Sequence, residues 1–504
     1  MDGDAVNVDS ILLAAIPHAI PSVGKHEFSS QLLKVANGIQ ASTPKGSNPN
    51  PDIDNYTLID NGWMDDTVCM DSQVTGKLHE TFQSHTGIRQ AFAYNRSNGG
   101  TVRQLREKDY VDFDSEAVRL LGLFRYWNMI NYFYPLKNHM EENWDEVLLE
   151  FIPIFRNATS NVAYRKAIYR LTNKLKDTHA SYPASVDGAV TGKYRPNFTA
   201  KRIGDSIVIE RFRFPDEMED GFQQGDILLE SDGREVLAMY DSLSSITGGG
   251  NYWSEQRFIC NALLATREKS TMYKVLRGHD TLTIVSKNET AWNLHKKGLK
   301  VSKSNEAKPQ FKFITDSVAY LNLASITRDN FEQNFEPIRN AKTIILDLRC
   351  YPTTKLVFDL SENFVPPDSY FAHITYVDAR FPGMLRYYPS SGKIGAKQYY
   401  KGRVLVLVNE RTESYSEYLT MMLQANPNTV VVGSPSSGAD GNISTVEFPG
   451  GIKTIYTGIG IYYPDMTPTQ RKGVKIDYVV EPTVESIQRG ADIILEKAID
   501  IASR

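Results

Sequence analysis

The sequence predicts a multidomain α/β protein, and three observations carry that expectation. Its 504 residues suggest roughly three or four domains of ordinary size. After Lys312, continuous apolar runs alternate with helical patterns, as in a sheet buried on both faces. Ahead of them lie an aromatic block of helical period and a run of short β-like segments. Charge is near balance, with 56 basic and 60 acidic residues, so neither nucleic acid nor an anionic membrane surface is indicated as a partner. A hydrophobic content of 41% is ordinary for a globular protein with sizeable cores.

The elements follow in order. Residues 1–110 read as a small N-terminal domain of unknown role, with a loop at Ser47 to Asn55 and a turn at Ser97 to Thr101. The apolar run Ile11 to Ile16 is too short to span a bilayer. Asp2, Asp4 and Asp9 precede it, so the basic start of a signal peptide is missing. Residues 111–195 read as a helical subdomain. EAVRLLGLFRYWNMINYFYP is helical in period and ends at Pro135, and two more helical segments follow. The second of these closes on Asp177-Thr178-His179-Ala180. His179 at a helix end is either a structural helix-terminus group or an imidazole base.

Residues 196–295 alternate in short β-like runs. Gly225-Asp226-Ile227-Leu228-Leu229, followed by Asp232-Gly233-Arg234, is a strand-turn pattern that resembles a PDZ domain. Such domains bind extended peptides along an open sheet edge; a generic small β-rich domain is the alternative. Residues 300–504 give the strand candidates SVAYLNLASI, KTIILDLRCYP, RVLVLVNE and NTVVVGS, with NFEQNFEPIRNA read as a helix. Cys69, Cys260 and Cys350 show no metal or disulfide spacing.

VNERTESYSEYLTMML, from Val408 to Leu423, reads as a strand end, a polar turn and a helix. Ser414 and Glu417 spell the capping box, so Ser414 could simply cap the helix. The same placement suits a nucleophile, provided that a base takes the hydroxyl proton. Asp347 and Arg349 read as an ion pair tying a turn to a helix, and Asp440-Gly441-Asn442 reads as a turn with too few carboxylates for a cation.

Four segments occur in one order: DTHA, the PDZ-like run, ILDLRCYPTT, and NERTESYSEYL followed by VVGSPSSGADGNIS. Together they resemble the S41 peptidases, the C-terminal-processing and tricorn-core-like family, in the Bacteroidetes-type branch. The resemblance covers about 115 to 504. It implies a ClpP/crotonase-like α/β core with a helical subdomain and a PDZ-like domain. It implies Ser414 as nucleophile, and His179, preceded by Thr178, as base. Gln470 stands near the place of the family's orienting glutamate. Ala439 stands where the C-terminal-processing branch has its lysine base. The oxyanion donors implied are the backbone N–H of Tyr415 and that of Thr353 or Thr354, where the family has a glycine pair. No metal or organic cofactor is implied, the partner is a peptide or unfolded protein chain, and relatives are mostly extracytoplasmic. A second reading is a catalytically weak or inactive peptide-binding protein on the same scaffold. A third is hydrolysis of a non-peptide ester by the same serine.

Overall fold

The computed structural model describes residues 8–19, 24–38, 55–57, 62–83, 95–96, 101–103, 112–217, 221–352, 356–377, 383–389 and 394–504. The chain divides into two units. The first comprises Met1–Lys174, Ile374–Tyr388 and Asn442–Gly460; the second comprises Leu175–His373, Pro389–Gly441 and Ile461–Arg504. The division falls inside the segment 111–195 expected as one helical subdomain. Helices up to Asn173 lie in the first unit, and the helix Thr178–Val186 lies in the second. Among the described residues, no helix is long and apolar enough to cross a membrane.

In the first unit the aromatic block forms the helix Glu116–Phe133. Pro135 disfavours helical geometry in the residue before it, and Tyr134 duly turns to φ −83°, ψ 109°. The helices Trp144–Asn157 and Asn161–Asn173 follow. Their core is aromatic: Phe155 meets Tyr164 edge-on at 5.8 Å, and Tyr126 meets Phe448 of the hairpin Ile443–Phe448/Ile452–Thr457 at 5.3 Å. Arg119 is buried there. It donates to the carbonyls of Phe113, Asp114, Phe155 and Arg156 at 2.7–2.9 Å, satisfying carbonyls left open where the helix Trp144–Asn157 ends.

The second unit holds two larger sheets. One runs, in spatial order, Phe311–Thr315, Val318–Asn322, Thr343–Asp347, Arg403–Val408, Thr429–Gly433 and Tyr478–Val479. Its first pair is antiparallel and the others are parallel. The unbroken apolar runs are therefore strands buried on both faces. The C-terminal helix Ile493–Ala502 covers one face, packing Ile494, Ala498 and Ile501 against Ile345, Leu405, Leu407 and Val432.

The other sheet orders Asp280–Lys287, Ser270–Arg277, Ile227–Ser231, Ser206–Phe212 and Phe198–Ile203, all antiparallel. The helices Val236–Ser244 and Tyr252–Leu263 close its core with Val236, Tyr240, Ile259 and Leu263. Its tight turn falls at Asp232 and Gly233, both at positive φ, where the DGR motif placed it.

Two expectations are corrected. NVAYRKAIYRLTNKLKDTHA is not one helix: it stops at Asn173, Lys176 takes φ 47°, and Asp177 caps a new helix. NFEQNFEPIRNA is helical only over Phe331–Phe335 before a 3₁₀ turn at Glu336–Ile338, because Pro337 lacks the N–H that would continue the helix.

Candidate active site

The strand Arg403–Val408 ends in a turn tied at several points. Thr412 N–H donates to the Asn409 carbonyl at 2.8 Å, and the Thr412 hydroxyl donates to the Leu348 carbonyl at 2.8 Å. Ser414 follows at φ 54°, ψ −113°, and Tyr415–Leu423 is the helix it opens. Such a backbone costs a non-glycine residue about 1–3 kcal/mol and persists only where its surroundings enforce it. A strained strand-to-helix turn is also how hydrolases expose a serine hydroxyl.

Glu417 supplies the enforcement. Fully buried, it accepts the Ser414 N–H at 3.1 Å, which is the glutamate half of the capping box. It also accepts the Ser436 hydroxyl at 2.6 Å and the N–H groups of Gly438 and Ala439 at 2.8 and 2.9 Å. Burial pushes this carboxyl up to about 7 in spite of those donors. Asp440 beside it is buried, with one oxygen accepting the Gly441 N–H and the other unpartnered. Burial and then the charge of Glu417 raise its carboxyl well above the ordinary range. Ala439 contributes a buried methyl and an N–H, so no lysine base acts from that position.

The segment 436–439 is held from a second direction. Thr178, fully buried, donates its hydroxyl to the Ser437 carbonyl at 2.8 Å and accepts the Gly250 N–H at 2.9 Å. The next residue is His179, in the first turn of the helix Thr178–Val186, where Asp177 accepts its backbone N–H at 3.0 Å. His179 thus lies at a helix start rather than the helix end expected from the sequence. One short segment anchors both the serine turn, through Glu417, and the histidine helix, through Thr178.

Three further side chains join the site. Glu413, immediately before Ser414, forms an ion pair with Arg257. Burial works against the charge of Glu413, yet Arg257 and then the charge of His179 hold its carboxyl below the usual range. Burial pushes the Tyr351 phenol up, and the neighbouring Ser414 side chain works against that rise. The sequence reading missed all three. Glu413 could have been noticed beside the serine, whereas Arg257 lies 156 residues from its partner and had no local signal.

The remaining candidates divide. Gln470 is buried and both polar atoms of its amide are without a hydrogen-bond partner, so the expected orienting bond to His179 is not formed. Its neighbour Arg471 reaches the same neighbourhood, donating its N–H to the Gly438 carbonyl and its guanidinium to the Leu175 and Lys176 carbonyls. Tyr415 is the first helical residue, and its phenol accepts the Val357 N–H at 2.9 Å. Thr353 and Thr354 lie outside the described residues. Arg349 pairs with Asp347 and with Asp492, the cap of the C-terminal helix, as the ion-pair reading expected.

Residues 317–480 match the model of peptidase family S41. The solved structure of mature CPAF complexed with lactacystin resembles this chain at a TM-score of 0.59 and 14% identity, covering 77% of this chain and 98% of that one. The structure of mature CPAF matches at 0.58 and 14%, covering 76% and 96%. At that identity the likeness is one of fold. No curated protein matches the chain.

Proposed function

Because the chain belongs to peptidase family S41 through residues 317–480, we propose that it cleaves peptide bonds with Ser414 as nucleophile and His179 as base. The Ser414 oxygen attacks the scissile carbonyl carbon while His179 takes the hydroxyl proton. The oxyanion gathers at the N-terminus of the helix Tyr415–Leu423, where the Tyr415 N–H is a donor. The imidazolium returns its proton to the leaving amine, and the acyl-enzyme remains. Water then attacks it, gives a proton to His179, and Ser414 recovers that proton as the acid departs.

Glu413 is a carboxylate in electrostatic reach of His179, and it stabilises the imidazolium in this scheme. Thr178 positions the histidine helix. The parallel sheet serves as a ClpP/crotonase-like core, and the sheet of residues 196–295 as a PDZ-like module presenting extended chain. An extracytoplasmic setting is supported by the family resemblance alone.

The observation that carries this reading is the shared anchor at 436–439, which ties the strained Ser414 turn and the His179 helix to one segment. Release of soluble dye from a labelled unfolded protein tests it. Turnover by the wild type that is lost in Ser414→Ala and in His179→Ala is expected. Equal release by wild type and Ser414→Ala contradicts it. The second reading is a peptide-binding protein that does not hydrolyse. It predicts peptide binding with no release above the Ser414→Ala level.

A further inference from the structure

A cavity of about 610 Å³ opens beside the serine turn, a volume suited to one substrate group. Two of its lining residues lead to the site: Arg257, paired with Glu413, and Tyr351, a neighbour of the Ser414 side chain. Three of its four arginines are matched by carboxylates. Arg257 has Glu413, Arg349 has Asp347 and Asp492, and Arg411 has Glu210 at 2.6 Å. Arg211 is the fourth. It is exposed in the cavity, and among the described residues its guanidinium takes part in no hydrogen bond or ion pair.

The acids that act on Arg211 are already engaged, Glu210 by Arg411 and Glu410 by Lys201 at 2.9 Å. Beside Arg211 in the chain, Arg213 keeps an unpartnered buried Nε, and Arg195 keeps an unpartnered buried Nη1. Burial, and then the charges of Arg195, Arg411 and Arg211, push Arg213 down to about 10. A fold that crowds guanidinium groups this closely holds an excess of positive charge that an incoming anion relieves.

We propose that this cavity is the subsite for a carboxylate carried by the substrate peptide, and that Arg211 binds it. The guanidinium fork suits a carboxylate through paired N–H donors, and the other three arginines are held in place by their own acids. The proposal deepens the peptidase reading above and rests on it for the nature of the ligand.

The test uses the full chain carrying Ser414→Ala, so that binding is read without cleavage. Peptides with an uncharged fluorophore differ in one group: an internal Glu or Gln, and a free or amidated C-terminus. Fluorescence anisotropy should show a carboxylate-bearing peptide binding at least about tenfold more tightly than its neutral counterpart. Arg211→Ala should abolish that preference, and Arg211→Lys should restore part of it. Preference for internal Glu identifies a side-chain carboxylate, and preference for the free terminus identifies a terminal one; either supports the subsite. Equal affinity for all the peptides, absence of binding included, overturns it, as does a preference that survives Arg211→Ala. No carboxylate preference in Ser414→Ala, with peptide hydrolysis by the wild type, sinks the subsite alone. A preference in Ser414→Ala with no hydrolysis by the wild type sinks the catalytic reading alone.

Discussion

One oxygen of Glu417 accepts the Ser414 N–H at 3.1 Å while the other accepts the Ser436 hydroxyl at 2.6 Å. A single buried side chain therefore joins the serine turn to the segment that also holds Thr178. Glu417→Ala leaves three backbone N–H groups and a hydroxyl without their acceptor. Each such group costs about 1–3 kcal/mol. Urea unfolding should show a loss of about 4 kcal/mol or more, together with loss of activity. A loss under about 1 kcal/mol would mean that Glu417 is not the latch.

The pH dependence of the same group has a definite sign. Burial raises Glu417 from its ordinary 4.5 to about 7, so between those values the folded chain holds a proton that the unfolded chain has lost. Its contribution to stability is present below 4.5 and falls as pH rises through about 7, by roughly 3 kcal/mol at most. The stability difference between wild type and Glu417→Gln, followed by urea unfolding from pH 5 to 8, should move against the wild type. A flat difference would contradict this.

The Ser414 backbone can be tested apart from its hydroxyl. Both Ser414→Ala and Ser414→Gly remove the nucleophile, but only glycine accepts φ 54° at little cost. Ser414→Gly should therefore be more stable than Ser414→Ala by about 1 kcal/mol, with both inactive. The opposite order in thermal unfolding would mean that the turn is unstrained.

Gln470 buries two amide atoms with no partner. Gln470→Met should raise stability by about 1 kcal/mol, since an unpaired buried amide gives way to an apolar chain of similar length. It should leave kcat/KM within about threefold. A fall of about a hundredfold in a folded variant would instead make Gln470 the partner of His179.

How much of this was legible in sequence depends on the range over which each feature is determined. The end of the helix Glu116–Phe133 is local: Pro135 restricts the residue before it. The Ser414 turn was legible for the same reason, because S-x-x-E after an apolar strand is a local pattern. The break at Lys176 was not, since a lysine at positive φ carries no compositional mark and is stabilised by distant contacts such as the Arg471 bond to its carbonyl. Glu413 and Arg257 meet only through the fold. Gln470 was placed by family position, which gives its address but not its hydrogen bonds.

Glu413 is the remaining residue to separate from a structural role. Glu413→Gln keeps an acceptor for Arg257 but removes the negative charge on which His179 acts. kcat should fall by about tenfold or more with KM within about twofold, because an imidazolium forms only on the way to the transition state. Equal changes in kcat and KM, or none, would assign Glu413 to the fold.

Fluorophosphonate labelling tests the central claim most directly, with the adduct located by mass spectrometry in wild type and in His179→Ala. The account predicts one adduct, on Ser414, formed at least about a hundredfold more slowly without His179. An unlabelled Ser414 in folded wild-type protein, or labelling at the same rate in His179→Ala, would contradict it.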